Sequence, residues 1–216
     1  MNKRKIVAGA AWLMVFALWT WAVCTVDVRP IGPEGSSVGL GAMNGWFHRV
    51  TGVHMALYVL TDWLSLIPVG VAAGFALLGL AQWIRRKKLT QVDISLLALG
   101  GFYMAVMAAY VVFETVVINR RPVLIEGVLE ASYPSSTTML VMCVMETAVM
   151  QLRGRIHRST LRRCATWLIR MFTALMISGR LLSGVHWLSD IIGGCLLSAG
   201  LIAFYAAASA ENGGAV

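Results

Sequence analysis

Residues 178–190 read SGRLLSGVHWLSD, and they set Arg180, His186 and Asp190 at fixed offsets between two strongly apolar runs. A Ser-Gly break at Ser183 and Gly184 separates the guanidinium from the imidazole. His186 and Asp190 are four apart in what should be the first turn of a helix, so they share a face and the carboxylate can reach one ring nitrogen. That bond would fix the tautomer and leave the other nitrogen free as nucleophile or base. Taken singly, Arg180 and Asp190 read as helix-end anchors and His186 as an interfacial histidine. Together in one short window they read as a site, because ionisable groups beside membrane spans tend to be functional.

The rest of the chain supports a membrane setting. Of its 216 residues 58% are hydrophobic and only 13% charged, against an apolar share of ~45–50% in soluble domains. The fold class expected is therefore an all-α polytopic membrane protein. The net charge of +8 could suggest nucleic acid, but the basic residues come in short clusters beside apolar runs, the pattern of membrane topology and not of polyanion binding. Cys24, Cys143, Cys164 and Cys195 are scattered through apolar segments without a C-x-x-C pair. They read as small buried hydrophobes, with no metal site, disulfide framework or cofactor implied.

Lys3, Arg4 and Lys5 precede an apolar run over 6–24, longer than the ~7–15-residue core of a signal peptide, so a retained helix is expected. Residues 26–52 are rich in glycine and proline and read as a loop ending in a short interfacial helix that carries Trp46, Phe47 and Val50 among lipid headgroups. His48 and His54 read as interfacial residues. Further apolar runs at 54–84, 94–118, 135–152, 164–182 and 186–208 are each near or above the ~20 residues that cross a hydrocarbon core. Six spans in a single integral membrane domain, 1–216, are expected. Pro68 and Gly70 would kink the second span; Asp62 has no assigned partner there, and Glu211 in the polar tail carries no signal.

Thirteen basic residues, in clusters at 3–5, 85–88 and 153–170, fall on one side of this arrangement, and Arg29, Arg49, Arg120, Arg121 and Arg180 on the other. The split places both termini in the cytoplasm. It also gathers three stretches on the outer, periplasmic or extracellular, side: 119–134, the start of the fourth helix at Ser135, and 183–187. These hold Arg120-Arg121-Pro122, then Tyr133-Pro134-Ser135-Ser136-Thr137-Thr138, then Arg180, His186 and Asp190. Guanidinium forks match tetrahedral oxyanions bidentately. Pro134 with the hydroxyl residues opens a helix whose free N–H groups and dipole would cradle an anion. Each feature also has a plainer reading, arginines that snorkel to headgroups and an ordinary helix start; their order on one face of the membrane gives them weight as a set.

In these residues the chain resembles the type-2 phosphatidic acid phosphatase superfamily, which includes the vanadium haloperoxidases and has the pattern Lys-x6-Arg-Pro, Pro-Ser-Gly-His and Ser-Arg-x5-His-x3-Asp on a helical core. The resemblance runs from about Glu114 to the end of the last helix, and the third motif is its most specific part. Arg121, Pro122, Pro134, Ser135, Arg180, His186 and Asp190 match position for position. The resemblance implies that Arg121, Arg180 and Ser135 hold phosphate oxygens; Arg120, Ser136 and Thr137 are expected to bind the phosphate with them. It implies that His186 becomes a phosphohistidine and that Asp190 orients it.

The departures are as informative as the matches. The motif lysine falls on Glu114, the glycine of the second motif on Ser136, its histidine on Thr137, and the serine before Arg180 on Gly179. A threonine hydroxyl cannot deliver a proton as an imidazole does, and loss of a general acid costs ~10²–10⁴ in rate. Glu114 is expected to pair with Arg120 or Arg121, with Arg120 standing in for the lysine, or else to protonate the leaving group itself. Glu146, mid-span in the fourth helix, reads as a group tying helices together or as part of a proton or substrate path. Two functions follow: a lipid phosphatase or diphosphatase acting at the outer face, best on diphosphates whose leaving group needs least protonation, or a lipid-phosphate binding or partner protein without turnover on the same scaffold. The partners expected are the bilayer and a lipid phosphate, with no nucleic acid.

Overall fold

The structure, a computed structural model, describes residues 3–209; Glu211 lies outside them. Eight α-helices follow in chain order: α1 (Lys3–Thr25), α2 (Gly41–Thr51), α3 (Met55–Leu64), α4 (Leu66–Arg86), α5 (Ile94–Thr115), α6 (Ser136–Arg155), α7 (Ser159–Leu182) and α8 (Leu188–Ser209). Among the described residues β-pairing is confined to isolated bridges in loops. The protein is an all-α multi-pass membrane protein. Among the described residues five helical stretches are long and apolar enough to cross a bilayer: α1, the α3–α4 pair over Met55–Arg86, α5, α7 and α8.

The remaining long segment, α6, forms where a sixth span is expected, and its twenty residues reach about 30 Å, enough to cross. It carries Thr137, Thr138, Glu146, Thr147 and Gln151 and falls short of the others in hydropathy. The physical reason is its position. Eleven of its residues are buried, because α4, α5, α7 and α8 surround it, so its side chains meet protein where the outer helices meet lipid. Thr147 donates to the Cys143 carbonyl, and Gln151 donates to the Ser95 carbonyl and the Tyr205 hydroxyl, which satisfies those polar groups internally. Glu146 faces Arg170 of α7 at 3.3 Å, tying the two helices as the plainer reading of that carboxylate has it.

The kink expected at Pro68 appears as an interruption at Ser65, between α3 and α4, where Ser65 itself keeps right-handed helical angles. Pro68 has no N–H to give the Leu64 carbonyl and its ring crowds that oxygen, so the helix is interrupted one turn before the proline. The 26–52 loop does end in the short helix α2, whose Asn44 is buried and reaches α8: its Oδ1 accepts the Ser189 N–H at 3.0 Å. Helix α8 packs most extensively on α1. Gly200 lets them close, since a Cβ there would lie 2.5 Å from Leu13.

Two connections matter for the site. Between α5 and α6 the chain folds back on itself: Glu126 and Gly127, with φ of 50° and 80°, turn it, and Ile125 pairs with Val128. Further down, the Arg121 N–H donates to the Glu130 carbonyl and the Ser132 N–H to the Asn119 carbonyl. Residues 119–121 are thereby pinned beside 130–132. Tyr133 then anchors the start of α6, its ring stacked on Phe16 and edge-on to Phe113, its hydroxyl bonded to Thr20 at 2.7 Å. The second connection is the tight turn 183–187 between α7 and α8. It rests on residues 52–54, where the His54 N–H donates to the Ser183 carbonyl.

Candidate active site

His186 sits in that tight turn, 3% exposed. Gly184 shapes the turn with φ +71°; a Cβ there would fall 2.0 Å from the Gly52 carbonyl oxygen. Trp187 fastens the far side, its indole N–H donating to the Arg120 carbonyl at 2.7 Å. Helix α8 begins only at Leu188, so His186 precedes the helix and does not share its first turn with Asp190. The carboxylate turns back to cap that helix, accepting the Trp187 N–H at 2.9 Å. Consequently the direct His186–Asp190 bond expected from their spacing is not made: Nδ1 and Oδ2 are 3.9 Å apart.

Ser132 fills the gap. Its Oγ lies 3.0 Å from His186 Nδ1 and 2.5 Å from Asp190 Oδ2. Asp190, fully buried, also accepts from Asn119 Nδ2 at 3.1 Å and Ser189 Oγ at 3.3 Å, both on Oδ1. The other ring nitrogen, Nε2, faces Arg121 Nη1 at 3.5 Å. Burial first, then the cationic Arg121 and Arg180, hold the imidazole well below its usual range, so it is neutral with a lone pair available.

Beside His186 lies a polar cavity of about 190 Å³, lined by His186, Arg121, Ser132, Tyr133, Ser136, Glu114 and Glu130 among others. An apolar groove of about 380 Å³ between α4, α5 and α6 adjoins it, lined by Val69, Val106, Met107, Leu140 and Val144; the two share Tyr110, Ser136 and Met139. Ser136 opens α6, whose first-turn N–H groups have no partner within the helix.

Arg180 is 3% exposed behind this wall. Its Nη2 donates to Thr137 Oγ1 at 2.6 Å and to Asp62 Oδ1 at 3.1 Å, while Nε and Nη1 are buried without a partner. The Tyr58 ring lies under both Arg180 and Arg121, at 4.9 and 6.0 Å from its centre.

The sequence-predicted residues thus separate into groups. His186, Arg121, Ser136 and Glu114 line one cavity, and Asp190 stands behind His186. Thr137 lines the apolar groove instead, where it accepts from Arg180, and Arg180 lines neither space. Ser135 is buried as the cap of α6, accepting from Thr138. Arg120 is turned away and exposed, its guanidinium on the Leu129 carbonyl, so it does not stand in for the motif lysine. The pairing expected for Glu114 is replaced by another: Arg121 Nε lies 2.9 Å from Glu130 Oε2. Helix α5 ends at Thr115, so Glu114 and the arginines are not on one helix, and the fold-back loop delivers Glu130 instead. Reasoning from the sequence missed Ser132, Asn119, Glu130, Tyr58 and the partner of Asp62. A signal for the first three was present in the Glu126-Gly127 turn, which sets 119–121 beside 130–132.

Comparison with known proteins agrees with the motifs. The PAP2 superfamily model matches residues 116–213, which takes in all the motif positions except Glu114. No curated protein matches the chain. Among solved structures, the transmembrane PAP2 type phosphatidylglycerolphosphate phosphatase from Bacillus subtilis superposes with a TM-score of 0.58 at 17% identity, over 94% of this chain and 96% of that one. The fold is the fold of that membrane protein.

Proposed function

We propose that this protein is a membrane lipid phosphatase or diphosphatase that works at the outer face of the bilayer through a phosphohistidine on His186. The observation that carries the reading is the adjacency of the two cavities: a polar chamber lined by His186 and Arg121 shares Tyr110, Ser136 and Met139 with an apolar groove. Such a pair of spaces fits a molecule with an anionic head and a hydrocarbon tail. The PAP2 superfamily match and the neighbouring phosphatase structure point the same way.

In the reaction the tail lies in the groove and the phosphate takes the Arg121 guanidinium and the first-turn N–H groups of α6. Nε2 attacks the terminal phosphorus and its bond to the leaving oxygen breaks with the electron pair going to that oxygen: a diphosphate releases the lipid phosphate through its bridging oxygen, and a monoester releases the lipid alcohol once its oxygen takes a proton from water. Water then attacks the phosphorus, the N–P bond breaks, and inorganic phosphate departs with His186 restored. The unpartnered Nε and Nη1 of Arg180 add positive field from behind the wall. With Thr137 held by Arg180 where the motif places an imidazole acid, a leaving group that is itself a weak base is favoured. Lipid diphosphates should therefore turn over faster than monoesters.

The test is phosphate release from lipid mono- and diphosphates by detergent-solubilised protein, beside His186→Ala. Release from a diphosphate that His186→Ala abolishes supports the enzyme. Tight binding of every substrate with no release identifies a lipid-phosphate binder and overturns it.

A further inference from the structure

The structure assigns Ser132 as a positioning residue that joins Asp190 to His186 through its hydroxyl, fixing the Nδ1–H tautomer of the imidazole; this rests on the phosphohistidine reading above. Asp190 sets the constraint. A carboxylate has about four lone-pair sites, and here Oδ1 takes Asn119 Nδ2 and Ser189 Oγ while Oδ2 takes the Trp187 N–H and Ser132 Oγ. The group is saturated and fully buried, so it is held in place and has no bond left for the ring, which stays 3.9 Å away.

A serine hydroxyl has one proton to give. With that proton on the Asp190 carboxylate, Ser132 Oγ can only accept at its 3.0 Å contact with His186 Nδ1. The ring must then carry its proton on Nδ1 and keep the lone pair on Nε2, the atom that faces Arg121. The alternative tautomer would aim an N–H at a guanidinium and set two lone pairs against each other at Ser132. As phosphorus bonds to Nε2 and the ring gains positive character, the same chain leads that charge through the hydroxyl to the buried carboxylate.

The site of the hydroxyl is itself fixed. Ser132 is 3% exposed, and its N–H is tied to the Asn119 carbonyl, so the Asn119 that holds Asp190 also holds the backbone of the connecting serine. Nothing in the spacing of the three motifs calls for a serine there. In this chain it follows from a helix that starts two residues after the histidine.

The experiment uses full-length protein carrying ¹⁵N-labelled histidine in micelles, with the His186 ring signals assigned against His186→Ala, and it compares wild type, Ser132→Ala and Ser132→Thr. Expected for wild type is a protonated Nδ1 and an unprotonated Nε2. In Ser132→Ala the ring should lose that single tautomer, and kcat for a lipid diphosphate should fall on the order of 10²-fold, with KM within about two-fold, as for a misaligned reacting group. Ser132→Thr, which keeps the hydroxyl, should restore both. An Nε2–H tautomer in the wild type, or a Ser132→Ala ring unchanged in tautomer, overturns the assignment. Because the tautomer is read without turnover, wild-type protein that shows Nδ1–H yet releases no phosphate would refute the phosphatase reading and leave the relay standing.

Discussion

Replacing Gly184 with alanine tests whether the turn that carries His186 is as rigid as the structure makes it. The residue has φ +71°, a conformation that costs an alanine about 1–2 kcal/mol. The larger effect is steric: the new Cβ would sit 2.0 Å from the Gly52 carbonyl oxygen and 3.0 Å from Val53 Cα, where ordinary contact begins near 3.4 Å. Both obstacles are backbone, so the 183–187 turn and the 52–54 turn must part by more than an ångström. That opening breaks the bond from the His54 N–H to the Ser183 carbonyl and shifts His186 two residues on. A displacement of about 1 Å at a reacting group can cost about 10²-fold in rate. Gly35→Ala is the control, since Gly35 also has positive φ, +73°, but open space around its Cβ. Phosphate release and thermal unfolding in detergent are measured for both. Gly35→Ala should lose stability alone; Gly184→Ala should lose stability and about two orders of magnitude in kcat. A Gly184→Ala protein within three-fold of wild-type kcat refutes the claim that this contact sets the position of His186.

Other outcomes follow from the charges of the site. Because burial and the two arginines depress the His186 value, the folded ring stays neutral below pH 6.5, and the acid limb of kcat/KM due to this group should lie well under that pH. The sign for stability is opposite: as pH falls through about 6.5 the unfolded chain takes up the proton first, so this group lowers stability there. Arg121→Gln removes the second cause and should move the limb upward in a pH–rate profile; a limb already at 6.5 in the wild type would contradict the assignment. Asp190→Asn sets an amide N–H₂ among four donors, which should cost about 1–3 kcal/mol in an unfolding measurement together with most of the turnover; wild-type behaviour in both would count against the capped carboxylate. Glu130 is 39% exposed, so its hold on Arg121 is weak. Glu130→Gln should lower KM about two- to five-fold by freeing the guanidinium for phosphate, and an unchanged or raised KM in steady-state assays would show that the pair does not compete with substrate.

Hydropathy and glycine content were enough to read the long helices and the short helix α2 from the sequence, since each depends on local composition. The enclosed position of α6 was less accessible. Its threonines and Gln151 look merely like a weaker span until the surrounding helices are in place to bond them. The third motif singled out Arg180, His186 and Asp190, but the direct bond it suggested between His186 and Asp190 is not made. An i, i+4 argument assumes one helix through both residues, and the cap at Trp187 means the helix starts after the histidine. Likewise the Glu114 pairing assumed that α5 continues to Arg121, whereas the chain leaves the helix at Thr115 and returns as a fold-back that substitutes Glu130. Side chains brought in by long-range loop geometry, Ser132 and Asp62 among them, leave little trace in local spacing.

The apolar groove is walled in part by exposed residues of helices long and apolar enough to cross a bilayer, Met107 at 60% and Val69 at 49% exposure, which under the proposed function would let a lipid enter it from the side. A substrate using it keeps its chain in hydrocarbon from arrival to departure, and encounter becomes a two-dimensional search within the leaflet. Turnover should then track the mole fraction of lipid in the micelle or vesicle, falling by surface dilution as inert detergent is added even when the bulk molarity is constant.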